Sequence, residues 1–159
     1  MRFARTPIHL PGGNALVQVY EGDALKGGRL VEEHEIRNRV IFAGLDWFAD
    51  AWGYPLTSPG IVPKYIALGV GYTATTDAMT TLVAEGFRKE ITRKIPLTHG
   101  VKMMLYVAQS EANGGTLREA GLFTAASGGD LFARFLWDGT VKTSSISLII
   151  SWSFIFAAA

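Results

Sequence analysis

Two glutamates with arginines close by are the residues of this chain best suited to acid–base chemistry. Glu85 opens the run Glu85-Gly86-Phe87-Arg88. Glu119 lies in Arg118-Glu119-Ala120-Gly121-Leu122-Phe123, and Arg134 follows in Phe132-Ala133-Arg134-Phe135. A pair of carboxylates flanking one bond can act as acid and as base or nucleophile in glycoside hydrolysis. Charges set among such apolar neighbours are more commonly paired with one another. We therefore read Glu85, Arg88, Glu119 and Arg134 as structural ion pairs, with glycan cleavage by Glu85 and Glu119 as the competing reading. No catalytic, metal or cofactor residue is assigned.

Other motifs are weaker. Gly69-Val70-Gly71-Tyr72-Thr73-Ala74 fits the phosphate-cradling pattern G-x-G-x-x-A. A dinucleotide fold needs a helix next, and Thr75 to Thr81 is a poor helix former. A tight turn with a glycine-permitted backbone is the simpler reading. His9, His34 and His99 share no ligand spacing, and no Gly-x-Ser-x-Gly elbow marks a nucleophilic serine. Met103, Met104, Trp47 and Trp137 suit either a core or an interface. Trp47, Tyr54 and Tyr72 are the aromatics available to a sugar-binding surface.

The elements that must position these residues are mostly strands. In the run from Ser145 to Phe156, Ile146, Leu148, Ile150, Trp152, Phe154 and Phe156 alternate with Ser145, Ser147, Ser151 and Ser153, with Ile149 and Ile155 breaking the pattern. Alternate side chains of a strand point to opposite faces, so one face is apolar and the serines point outward. A strand of this kind belongs to a sandwich or barrel core. Further strands are expected at Ala15 to Tyr20, Tyr65 to Gly69, Phe87 to Leu97, Val101 to Gln109, Leu117 to Phe123 and Leu131 to Trp137, with Lys142 opening the last one. His99-Gly100 reads as a hairpin turn. Arg29 to Arg39 reads as an exposed strand or loop. Ile41, Leu45, Phe48 and Trp52 are spaced for one helix face, and Gly53 suits a helix end, which predicts a helix over Val40 to Trp52. The expected fold is a mainly β, antiparallel β-sandwich with one α-helix and an extended N-terminal arm. The arm is residues 1–13 and the single sandwich domain residues 14–159.

Composition narrows the function. The chain has 159 residues, 48% of them hydrophobic and 18% charged, a net charge of +1 and no cysteine. Disulfides and thiolate chemistry are excluded. Nothing points to nucleic acid or an anionic membrane as a partner. The N-terminal residues lack the apolar stretch of a secretory signal, and the apolar C-terminal segment is shorter than a membrane-spanning helix.

The ordered set Tyr65-Ile66-Ala67-Leu68-Gly69-Val70-Gly71, Thr81 to Arg88, Glu119 to Phe123, Gly128 to Arg134 and the alternating final strand resembles the small β-sandwich virion proteins of tailed bacteriophages. Related patterns occur in tail-collar and tail-fibre attachment domains. The resemblance covers about residues 38–156. It implies a non-enzymatic structural protein located in the virion and assembled in the host cytoplasm. A capsid decoration (cement) protein is the first expectation, and a tail, baseplate or tail-fibre component the alternative. Implied partners are the major capsid protein or tail proteins, together with further copies of the chain, for which a homotrimer is the first guess. Phe3, Ile8 and Leu10 are the anchors an arm would offer to a neighbour. A glycan-binding module is a further alternative. No cofactor is implied.

Overall fold

The computed structural model describes residues 13–41, 43, 44 and 62–155. They form two five-stranded antiparallel sheets packed as a sandwich. The first has the order β2-β1-β10-β7-β6 and the second β3-β9-β8-β4-β5. The strands are β1 Asn14–Glu21, β2 Arg29–Arg37, β3 Arg39–Val40, β4 Tyr65–Gly69, β5 Glu85–Glu90, β6 Arg93–Leu97, β7 Gly100–Val107, β8 Gly115–Phe123, β9 Leu131–Lys142 and β10 Ile146–Ile155.

The apolar ladder at the C-terminal end makes β10 the central strand of its sheet, bonded to β1 on one side and β7 on the other. Leu148, Ile150 and Trp152 are fully buried, and Phe154 nearly so. They meet Phe132, Phe135 and Trp137 from β9 across the sandwich. Trp152 stands edge-on to Phe135, with centroids 4.7 Å apart. Its indole N–H has no hydrogen-bond partner, an arrangement that core packing must outweigh.

The serine face of β10 departs from expectation. Ser147 and Ser151 point away from the core, yet both are buried. Ser147 Oγ accepts from the Ala24 amide at 2.9 Å and donates to the Gly22 carbonyl at 2.8 Å. The short 3-10 turn Ala24–Lys26, capped by Asp23, thus folds over it. Ser151 lies between Leu16 and Met104 of the neighbouring strands.

Three further expectations are corrected. Phe87 to Leu97 is not one strand but two, β5 and β6, in opposite sheets. The crossing falls between Ile91, whose amide bonds Lys64 O, and Thr92, whose amide bonds Met104 O. An apolar–polar pattern does not record which sheet a strand joins. Lys142 ends β9 rather than opening the last strand, because β9 runs on through a bulge to pair Gly115 with Lys142. The single helix over Val40 to Trp52 is not borne out. Val40 pairs with Ala133 as a strand, and residues 42 and 45–52 lie outside the described residues. The arm lies outside them too, except Gly13, which is packed so closely that a Cβ there would stand 2.4 Å from Ser153 O.

The outer face of the second sheet has a small core of its own. Ala67, Phe123 and Leu131 point away from the main core and are buried with Leu82 and Ile41. Leu82 comes from the long connection between β4 and β5, residues 70–84, which lies across this face.

Candidate functional site

Under that connection lies a fully buried ion pair. Glu119, on β8, and Arg134, on β9, both have fully buried side chains and pair at 2.8 Å. Glu119 Oε2 accepts from Arg134 Nε at 3.0 Å, from Nη2 at 2.8 Å and from the Val83 amide at 3.1 Å. Its Oε1 accepts from the Ala84 amide at 2.7 Å and the Gly71 amide at 3.2 Å. Arg134 Nη1 continues to Thr73 O at 2.9 Å and Thr75 Oγ1 at 2.8 Å. One ion pair therefore fastens both ends of the 70–84 connection to the sheet. Burial pushes the Glu119 carboxyl up, but hydrogen bonds from Ala84, Arg134 and Val83 outweigh it and hold the group below the usual carboxylate range.

This carboxylate also explains the glycine pattern. A Cβ on Gly69 or on Gly71 would lie 2.5 Å from Glu119 Oε1. Neither glycine has positive φ. The pattern reflects the close approach of an anionic side chain, and not a glycine-only turn or a phosphate cradle.

Glu85 and Arg88 make the second pair. Arg88 Nε donates to Glu85 Oε1 at 2.7 Å and Nη2 to Oε2 at 2.6 Å. The guanidinium stacks 3.7 Å from the centroid of Phe123. Its Nη1 donates to Ala125 O at 2.9 Å and Gly128 O at 2.7 Å, which holds the 124–130 loop. Glu85 and Glu119 both pair in register with Gly69, from opposite sides, so the sheet brings the two carboxylates into one row. Each is matched to its own arginine, and Glu119 offers no exposed oxygen to a substrate or a water.

A third network, at the loop 108–114, has no counterpart among the sequence expectations. Lys89 Nζ donates to both oxygens of Glu111, at 2.9 and 2.8 Å. Burial pushes the Glu111 carboxyl up, while hydrogen bonds from Lys89 and the Ala108 amide outweigh it and lower the value overall. Lys142 is 1% exposed and donates to Asn113 Oδ1 at 2.8 Å, Thr143 O at 3.1 Å and Gln109 O at 3.3 Å. Burial lowers its pKa, and Glu111 partly opposes the shift. Tyr106 donates its hydroxyl to Asp23 Oδ1 at 2.7 Å.

The remaining candidates separate. Met103 and Trp137 are buried in the main core, and Met104 is half-buried. Tyr72 is 59% exposed on the 70–84 connection, with the Arg118 guanidinium 5.9 Å from its ring. His34 bonds Glu32 at 2.8 Å, and His99 occupies the β6–β7 turn with φ 59°. No group of three potential metal ligands occurs among the described residues. Phe3, Ile8, His9, Leu10, Trp47 and Tyr54 lie outside them. No protein family, curated protein or solved structure matches the chain.

Proposed function

We propose that this chain is a non-enzymatic structural protein of a tailed-bacteriophage virion. Capsid decoration is the first reading, and a tail, baseplate or tail-fibre component the second. The observation that carries the non-enzymatic part is Glu119. Of the two carboxylates a glycan-cleaving reading would need, Glu119 accepts five hydrogen bonds on its two oxygens and has no exposed surface. A general acid needs a reachable carboxyl with a raised pKa, and this group is sealed and shifted the other way.

Apart from the final strand, which is β10 of the first sheet, the motifs behind the resemblance fall in one sheet. Tyr65–Gly69, Glu85 with Arg88, Glu119 to Phe123 and Leu131 to Arg134 fall on β4, β5, β8 and β9, which are neighbours in one sheet. Two ion pairs tie the adjoining loops to that sheet. Such a platform suits a protein whose task is to hold a shape against its neighbours. Affinity would come from apolar contact area and many copies acting together.

The test is to add full-length chain, and chain lacking residues 1–11, to particles that lack the protein. Bound copies and heat resistance are then measured. Occupancy and heat protection by the full-length chain support the reading, and lower values for the truncated form assign attachment to the arm. Failure of the full-length chain to bind either capsid or tail refutes the reading. Tyr72 favours a second reading, a glycan-binding module, since an exposed ring beside Arg118 is a surface on which a sugar can stack. Glycan binding that Tyr72→Ala abolishes would support that reading.

A further inference from the structure

We infer that the outer face of the first sheet is a self-association surface, on which a second copy of the chain packs about a twofold axis running along β10. The inference does not rest on the virion reading. Alternation sets it up. Val17, Leu105, Ile150 and Trp152 point into the core and are fully buried. Their neighbours along each strand therefore point outward. The pairing registers align these outward residues in rows across the sheet. One row runs Glu35, Leu16, Ser151, Met104, Arg93 from β2 to β6. The next runs Glu33, Gln18, Ile149, Tyr106.

The chemistry of the first row changes sign along its length. It begins with an exposed carboxylate, passes through an apolar and small-residue centre, and ends with an exposed guanidinium. A twofold axis along β10 reverses the row in the facing copy. Glu35 then opposes Arg93 of the second copy, and Leu16 opposes Met104. Ile149 meets its own equivalent, and the small Ser151 at the axis allows close approach. A contact of this kind is isologous: each complementary pair occurs twice. Five strands spaced about 4.8 Å apart give a face about 24 Å wide, and contact along about six residues of strand, roughly 20 Å, on both copies would bury the roughly 1,000 Å² of a small specific interface. The turn Ala24–Lys26 covers the Ser147 end, and its cap Asp23 holds the Tyr106 hydroxyl at the edge of the second row, so the first row is the one left open to the partner.

The experiment is sedimentation velocity on the full chain from micromolar to hundred-micromolar concentration, with a charge swap. The expected result is a monomer–dimer equilibrium that weakens with added salt. Glu35→Arg and Arg93→Glu should each weaken it by about tenfold or more. The double variant should return to within about threefold of the parent, because the exchanged charges still face each other. Ile149→Arg should abolish dimers. Glu35 and Arg93 are exposed, so their reversal leaves the fold intact, which the melting temperature checks. A chain that stays monomeric or forms only trimers overturns the inference. So does a double variant as weak as its parents, or association unchanged by Ile149→Arg.

Discussion

Replacing Glu119 by Gln keeps the side-chain shape and removes the charge. The oxygens of Glu119 divide their donors unevenly: Arg134 and Val83 on Oε2, Ala84 and Gly71 on Oε1. A glutamine must turn its NH2 toward one set or the other. Two or three donors then face a donor, and Arg134 is left as a buried cation without its counter-charge. Breaking a buried pair from one side costs about 3–5 kcal/mol. The orphaned amides would add to this, although such terms overlap and do not sum. For a domain of this length, 3–5 kcal/mol corresponds to a melting point lower by about 6–20 °C. The effect also has a pH signature. The folded pKa of Glu119 lies below its unfolded value, so its stabilisation is present above the unfolded pKa and is lost as pH falls through the folded one. Thermal and urea unfolding of parent and variant should therefore diverge at neutral pH and converge in acid. The double variant Glu119→Gln/Arg134→Met should cost less than the two single changes together, since no lone charge remains. A loss below about 1 kcal/mol at pH 7 would refute the account of this pair as a buried fastener.

Trp152→Ala empties the centre of the main core and should cost about 3–5 kcal/mol, read as a lower urea midpoint; a melting point within a degree or two of the parent would contradict the packing. Gly71→Ala puts a Cβ 2.5 Å from Glu119 Oε1 and 2.7 Å from Val83 Cβ. It should destabilise by about 1–3 kcal/mol and speed hydrogen exchange of the Val83 and Ala84 amides. Burial and the bond to Asp23 raise the Tyr106 pKa to about 12. Its stabilisation is complete below the unfolded value and disappears as pH rises through the folded one, so an ultraviolet titration should show a late component that Tyr106→Phe removes.

The strands were legible where side-chain alternation met a one-sided environment. β4 falls on the expected residues Tyr65–Gly69, and the facing of Trp152 and Phe154 follows from the ladder alone. Legibility failed where the environment had two sides. Ser147 reads as exposed because serine tolerates water, but a turn from the other end of the chain bonds it. Ile91 and Thr92 carry no turn signal, yet the chain changes sheets there. That corner is defined by Lys64 O and Met104 O, partners distant in sequence.

The site shows the same limit more sharply. Residue type and apolar setting single out Glu119 and Arg134, since an unpaired charge is costly among Leu122, Phe123, Phe132 and Phe135. Neighbouring sequence could not say what else the carboxylate holds. The Val83, Ala84 and Gly71 amides are 36, 35 and 48 residues away from it. Gly69 and Gly71 were the visible trace of that contact. They read as a turn or a phosphate loop, because a missing Cβ records close approach without naming what approaches. Here the visitor is an internal anion. An internal carboxylate in the middle of β8, just beyond the end of β4, takes the amides of Gly71, Val83 and Ala84, as an anionic ligand takes backbone amides in a phosphate loop. The same chemistry that binds a ligand elsewhere is used in this molecule to close a loop.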